Sequence, residues 1–381
     1  MINEIITIYV RNSKITPSSY YRIIQYTKDF KSKPLIRSAI PDNLYKFYLN
    51  ISKSKSKAYF LVGTLYYLVM IIRITVFLLL DLIRNPDYII LSKSFCPRYT
   101  PIFLRFLIDR VTKKTIFIWD FDDYIFESGE ISKRQADILM KNSYKIIVTN
   151  EFLKSKIESV YRNKVVLLPT TDGDLQGFSQ NELEEKRKRT YATEIRLVWV
   201  ATSGNIPHLL GIISALDEAA EYLSKNLKKQ LVLISVCDKP LNYDTKHLKL
   251  INMKWTRELA KNQIYDSHIG IMPLNNNSYS LGKGGFKLIQ YISACLPIIG
   301  SNVGYNSHVI KKGTGYLIDD EFDKRGWIEA VIKLSESYSD WLNYSRESYD
   351  NWNRNFSYDK NLEFWNELLT TKRKKQEKNG D

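Results

Sequence analysis

A chain of 381 residues exceeds what one ordinary hydrophobic core serves, so two domains are expected. With 44% hydrophobic and 25% charged residues it is no disordered polyelectrolyte, and three scattered cysteines (Cys96, Cys237, Cys295) exclude a disulfide framework and a cysteine metal site, which suits a reducing cytosol. Most of the net charge of +15 falls in residues 1–114, where 19 Lys+Arg face 6 Asp+Glu, and such one-sided charge calls for a polyanionic partner, either nucleic acid or an anionic membrane surface.

Along the chain, MINEIITIYV lacks the basic start and long apolar core of a secretory signal. The short apolar runs EIITIYV (4–10), DYIILS (87–92), KTIFIWD (114–120), YKIIVTN (144–150) and KVVLLPT (164–170) predict buried strands, most of them separated by helical patterns. That alternation predicts a doubly wound parallel sheet. Residues 58–84 stand apart. They are uncharged over 58–72, interrupted by Arg73, and apolar again over 74–80. A span needs about 20 apolar residues, and a central arginine costs roughly 2.5–3.5 kcal/mol. A single span would also separate the strands on either side of it. The segment, flanked by Lys53, Lys55 and Lys57, is therefore expected to lie in a membrane interface or pack partly on the sheet. An unusually apolar core helix is the alternative.

NELEEKRKRTYATE, 181–194, is charged and without apolar period, and reads as a linker or surface excursion. A second alternation follows in IRLVWVA (195–201), QLVLISV (230–236), HIGIMPL (268–274) and LPIIGS (296–301). The expected organisation is an N-terminal domain over 1–180, the linker, and a second domain over 195–355. A C-terminal helix and basic tail (KRKKQEK at 372–378) occupy 356–381. Ligands of open α/β sheets bind outside the carboxyl ends of the strands, which marks Arg11 to Arg22, Asp120 to Asp123 and Thr202 to Asn205.

The densest signal is SLGKGGFKLIQYISACLPIIGS, 280–301. Gly282, Gly284 and Gly285 let a ligand approach the backbone, Lys283 and Lys287 bring charge, and free amides at a helix start favour anions. Lys283, Lys287 and Gln290, four and three residues apart, are predicted on one helix face. A phosphate group is the expected guest. The spacing is not that of a Walker A loop. His208, His247, His268 and His308 form no metal pattern.

The stretch 266–318 resembles the donor-binding segment of GT-B glycosyltransferases of the family 4 type, in Pro273, Leu274, Gly282, Lys287, Gln290, Tyr291, Pro297 and Gly304. IFIWDFDDYIF (116–126) and SSYYRIIQY (18–26) resemble elements of a bacterial surface-polysaccharide branch, and VVLLPTTDG (165–173) sits where members read V-I-P-N-G-V-D. The resemblance implies two Rossmann-like domains facing across a cleft, and a retaining, metal-independent sugar transfer from a nucleotide-diphospho-sugar, with a UDP-linked donor expected. It implies a donor site built from Ser203, Gly204, Asn205, Trp255, Gly282, Lys283, Gly284, Gly285, Lys287 and Gln290. Asp120, Asp122 and Asp123 are the expected catalytic or acceptor-side carboxylates, orienting sugar hydroxyls or accepting a proton, and Arg22 is expected to meet an acceptor or donor phosphate. A D-x-D element also suits a divalent metal, and a turn with a capping aspartate is the plain structural reading. The implied acceptor is a lipid-linked glycan on the inner face of the cell membrane, with the basic N-terminal domain and residues 58–84 on the anionic surface. Two departures weigh against a direct transfer of roles. Many relatives carry glutamates where this chain has Gly282 and Gln290, and no histidine precedes His208. A membrane-associated scaffold that binds nucleotide-sugar or glycan without turnover is the first alternative, and nucleic-acid binding the second.

Overall fold

The structure, a computed structural model, describes residues 4–54, 58–319 and 323–370; Lys55, Lys57 and the basic cluster at 372–378 lie outside these ranges. The chain divides into two compact units, Met1–Thr170 with Asp359–Asp381, and Thr171–Tyr358.

The first unit holds six parallel strands, β1 (Ile6–Val10), β2 (Leu35–Ser38), β3 (Tyr88–Ser92), β4 (Ile116–Asp120), β5 (Lys145–Val148) and β6 (Val165–Leu167), in the order β2-β1-β3-β4-β5-β6. β1 and β3 are buried along their whole length, as their unbroken apolar and β-branched runs require of strands covered on both faces. Ile8 sits opposite Ile36 on one side and Ile90 on the other. The winding reverses between β1 and β3, so their carboxyl ends flank the switch point where a doubly wound sheet opens a ligand crevice.

The helix Ala58–Arg84 connects β2 to β3 within this sheet. Its inner face places Tyr66, Met70, Ile74 and Leu78 in the core beside Ile89 and Leu91. Asp81 on the same face accepts from Tyr9 Oη and pairs with Arg37 in the interior. The opposite stripe, Leu61, Leu65, Leu68, Ile72, Val76, Leu79 and Ile83, is 45–84% exposed. The helix is thus neither wholly core nor wholly free. One face is packed and the other is bare hydrocarbon.

The second unit repeats the plan with β7 (Glu194–Val200), β8 (Gln230–Cys237), β9 (Lys249–Lys254), β10 (Ile269–Met272), β11 (Ile298–Ser301) and β12 (Gly315–Ile318), ordered β12-β11-β10-β7-β8-β9 and all parallel. Its switch point lies between β7 and β10. Two parallel six-stranded sheets with interleaved helices are the architecture expected of a GT-B chain.

Local expectations needed correction. Residues 181–194 are no irregular linker. Most of them lie in the helix Gln180–Tyr191, capped by Ser179, whose Leu183, Arg187 and Tyr191 are buried at four-residue spacing. The Arg187 guanidinium donates to the carbonyls of Ile264, Tyr265 and Cys295, tying the helix to the second unit. Strands β2, β9 and β12 went unread as partly exposed sheet edges, whereas the fourth edge, β6, was legible from its run Val165–Leu167 but is partly exposed rather than buried as expected. The helix Tyr358–Leu368 lies almost wholly in the first unit, where Asn361 Nδ2 donates to the Pro169 carbonyl at 2.8 Å and Trp365 is fully buried.

Candidate active site

In the second unit the turn after β7 and the loop after β10 meet at the switch point. Gly270 on β10 has no side chain because the ring of Tyr291 occupies that space; a Cβ there would lie 2.3 Å from it. Tyr291 Oη in turn accepts the Val200 amide at the end of β7 (2.9 Å), which fixes the helix Phe286–Ser293 against both strands. That helix begins only at Phe286, after Gly285 in the left-handed region (φ 65°), a conformation glycine adopts without penalty. Lys283 therefore stands in the loop before the helix, a correction to the predicted single face, and only Lys287 and Gln290 share one.

The loop nevertheless brings both lysines to the site. Lys283 Nζ donates to Asn205 Oδ1 and lies 4.5 Å above the Tyr279 ring. Lys287 Nζ donates to Gln290 Oε1 at 2.9 Å, and Gln290 Nε2 donates to Asp172 Oδ2 at 2.5 Å. Among the described residues Lys287 has no carboxylate within ion-pair distance. Burial, reinforced by Lys283 and opposed by Asp172, pushes its ammonium down to about 8. Burial also lifts the Asp172 carboxyl, against the hydrogen bond from Gln290.

The backbone donors divide sharply. The Ser203 amide goes to Asp238 Oδ1 (2.7 Å) and the Asn205 amide to the Thr202 carbonyl, so neither is available to a diphosphate, a second correction. The amides of Gly282 and Lys283 are likewise taken, by Ser278 and Ser280. Among the described residues the amides of Gly204, Gly284 and Gly285 make no hydrogen bond. Two unengaged glycine amides beside two half-buried ammonium groups offer the donors and charge that an anion would need. Trp255 follows the edge strand β9, two strands from β7, and packs half-buried on an apolar cluster with Met253.

The first unit treats its charges differently. Arg22 is not at a ligand surface: it is 2% exposed, and Asp120 is 0% exposed. Arg22 Nε reaches both Asp120 oxygens at 3.1 Å, Nη2 donates to Oδ1, and Nη1 donates to the Leu168 carbonyl and Thr170 Oγ1. With its donor groups so occupied, Arg22 has nothing to offer a phosphate, and Asp120 cannot touch a substrate. Asp122 and Asp123 do remain at the surface, with 17% and 47% of their side chains exposed. Both pair with Lys93, at 3.2 and 2.5 Å, and Asp122 also accepts from Ser18 Oγ at 2.7 Å. Burial raises the Asp122 carboxyl, but Lys93, Arg22 and Ser18 outweigh it and hold the group below its ordinary value. The same carboxylates hold Lys93 well above its own. Lys93 was missed from sequence, although the strand-end rule marks it as the first residue after β3. It adopts a left-handed backbone (φ 64°), uncommon outside glycine. Beside it Arg11 donates to Ser94 Oγ and to Glu130 Oε2 (3.1 Å). Among the described residues no cluster of three acidic, histidine or cysteine groups can hold a metal ion.

No protein-family model matches the chain, and a search of curated proteins finds no match. Solved structures do resemble it. A glycosyltransferase from Rickettsia africae ESF-5 is 13% identical, with 97% of this chain and 98% of that chain covered and a TM-score of 0.64. Anabaena Alr3699/HepE in complex with UDP and glucose is 9% identical over 97% and 100% of the two chains, with a TM-score of 0.65. WaaG, a glycosyltransferase involved in lipopolysaccharide biosynthesis, is 10% identical over 96% and 100%, with a TM-score of 0.60. The fold is thus that of GT-B glycosyltransferases.

Proposed function

We propose that the chain is a retaining glycosyltransferase that moves a sugar from a UDP-linked donor to a lipid-linked glycan in surface-polysaccharide synthesis. The second unit takes the donor. The observation that carries this reading is the pairing of Lys283 and Lys287 with the unengaged Gly284 and Gly285 amides at the β7/β10 switch point. A half-buried ammonium without a carboxylate partner is costly unless an anion arrives. Charge developing on the leaving diphosphate would fall on these groups, so the site supplies its electrostatic stabilisation from lysines and amides and needs no metal. The fold of HepE, which is seen with UDP and glucose, supports a UDP-linked donor.

The first unit takes the acceptor. Asp122 and Asp123, paired with Lys93, orient hydroxyl groups of the acceptor glycan. This unit sits on the anionic cytoplasmic face of the membrane, a reading supported by the bare outer stripe of the helix Ala58–Arg84 and the basic N-terminal part of the chain. The resemblance of fold to WaaG, a glycosyltransferase involved in lipopolysaccharide biosynthesis, is in keeping with a role in surface-polysaccharide synthesis.

Calorimetry of UDP binding to the wild-type chain and to Lys283→Ala and Lys287→Ala variants, with chelator present, tests the donor site. Binding weakened by both substitutions supports it, and a folded protein that binds no nucleotide sinks it. Gly282 stands where many relatives carry a sugar-facing carboxylate, and a non-catalytic nucleotide-sugar scaffold remains the second reading on that ground. Consumption of a UDP-sugar in the presence of membrane acceptor eliminates the scaffold, and the anomeric configuration of the product, read by NMR, tests retention.

A further inference from the structure

The helix Ile102–Lys114 carries a feature that the proposed function does not use. Leu104, Ile108, Val111 and Thr112 bury one face of it in the first unit. The outer face changes character along its length. Ile102, Phe103 and Phe106, in its first half, are 72%, 53% and 65% exposed. Arg110, Lys113 and Lys114, in its second half, are exposed cations on the same helix face or next to it, with Lys113 paired to Asp109 of the same helix at 2.6 Å and Arg110 and Lys114 outside that pair. The start of this helix adjoins the helix Ala58–Arg84, since Tyr67 Oη donates to the Tyr99 carbonyl, so the two bare apolar surfaces are neighbours.

We propose that the helix Ile102–Lys114 is a second membrane contact, a tilted wedge whose apolar first half enters an anionic lipid leaflet while its basic second half stays among the headgroups. The proposal extends the membrane contact of the helix Ala58–Arg84 and rests on that reading. Three large side chains together on a loop-proximal helix turn exceed the scattered apolar exposure normal for soluble surfaces. The occupant follows from charge. Residues 1–114 carry 19 cationic against 6 acidic side chains, so a second copy would bring two like-charged surfaces together, whereas anionic lipid complements both halves of the wedge. In-plane insertion also fits the length, because 13 residues are too few to span a bilayer.

Flotation of the full-length chain with phosphatidylcholine vesicles, and with vesicles that also contain phosphatidylglycerol, tests the wedge. The wild type is expected to float with the anionic vesicles. A Phe103→Glu/Phe106→Glu variant is expected to bind them at least about tenfold more weakly. Neutralising Arg110 or Lys114 is expected to cost about fivefold each, on the anionic vesicles only. UDP affinity, measured on the same variants, should not move. Wild-type binding by the phenylalanine variant overturns the wedge. If Leu65→Glu/Leu68→Glu alone abolishes flotation while that variant is neutral, the first helix keeps its role and the second loses it. A lipid-free dimer that Phe106→Glu splits overturns the proposal in favour of a second copy. Failure of the wild type to bind either vesicle removes both membrane contacts and leaves the nucleotide reading intact.

Discussion

The two units share one architecture and handle charge in opposite ways. At the β1/β3 switch point each cation meets a carboxylate: Arg22 meets Asp120, Lys93 meets Asp122 and Asp123, and Arg11 meets Glu130. At the β7/β10 switch point Lys283 and Lys287 meet amide oxygens of Asn205 and Gln290. A neutralised strand-end surface suits an uncharged ligand rich in hydroxyls. One where the Lys287 ammonium meets a neutral acceptor suits an anion. The same fold rule locates both crevices, and the local pairing decides what each can receive.

The largest expected effect tests the neutralised side. Arg22→Ala leaves Asp120 buried without its partner and should lower unfolding stability by about 3–5 kcal/mol, measured by urea denaturation. If that variant keeps wild-type stability and loses only acceptor affinity, Arg22 is a ligand after all and the comparison breaks. On the other side, Lys287→Ala should weaken UDP binding by about 1.5–3 kcal/mol without lowering the denaturation midpoint, because it removes a charge whose burial is already unfavourable. Loss of stability in place of affinity would mark Lys287 as a structural lysine.

Gln290→Glu sharpens the contrast. It places a carboxylate against Asp172, where the amide now donates, and should destabilise the second unit by roughly 1–3 kcal/mol at neutral pH. Asp172→Asn in the same chain should restore most of that loss, and a double-mutant cycle that shows no coupling would refute the pairing. The smallest effect is pH dependence. Lys287 titrates at about 8 in the free protein, and a bound diphosphate raises that value. Affinity should therefore be flat below pH 8, where the ammonium is present before and after binding. Above it, binding must take up a proton, and affinity should fall by up to about tenfold per pH unit. A Lys287→Arg variant should show no such fall, since guanidinium stays charged throughout.

Much of this was legible in the sequence, for a physical reason. Interior parallel strands are buried on both faces and must be apolar, so β1, β3, β4, β5, β7, β8, β10 and β11 announce themselves. The edges β2, β9 and β12 do not, because half of each faces outward; the edge β6 was legible only through its unbroken apolar run Val165–Leu167. The helix Gln180–Tyr191 was hidden by its own buried stripe, whose middle member is Arg187. At the sites, glycines and lysines close together in sequence were readable as an anion loop. What escaped was every pairing across sequence distance. Arg22 and Asp120 lie 98 residues apart, and Gln290 and Asp172 lie 118 apart. No local pattern distinguishes a cation awaiting a ligand from one already neutralised by a distant strand.

Arg73, at the middle of the most apolar helix, bears on biogenesis. In the folded chain its guanidinium donates to the Ser38 carbonyl at the end of β2 and lies over Phe77. While the segment is still unpaired, the same charge opposes lateral insertion into a bilayer by roughly 2.5–3.5 kcal/mol. Insertion would strand β1 and β2 on the far side from β3, and a sheet in which β1 sits between β2 and β3 could then never assemble. One arginine thus opposes membrane insertion of a spanning-length segment before its neighbours have paired. Arg73→Leu should divert newly made chains into a membrane-spanning, protease-cleavable form, seen as loss of soluble product without any change in the composition of either ligand site.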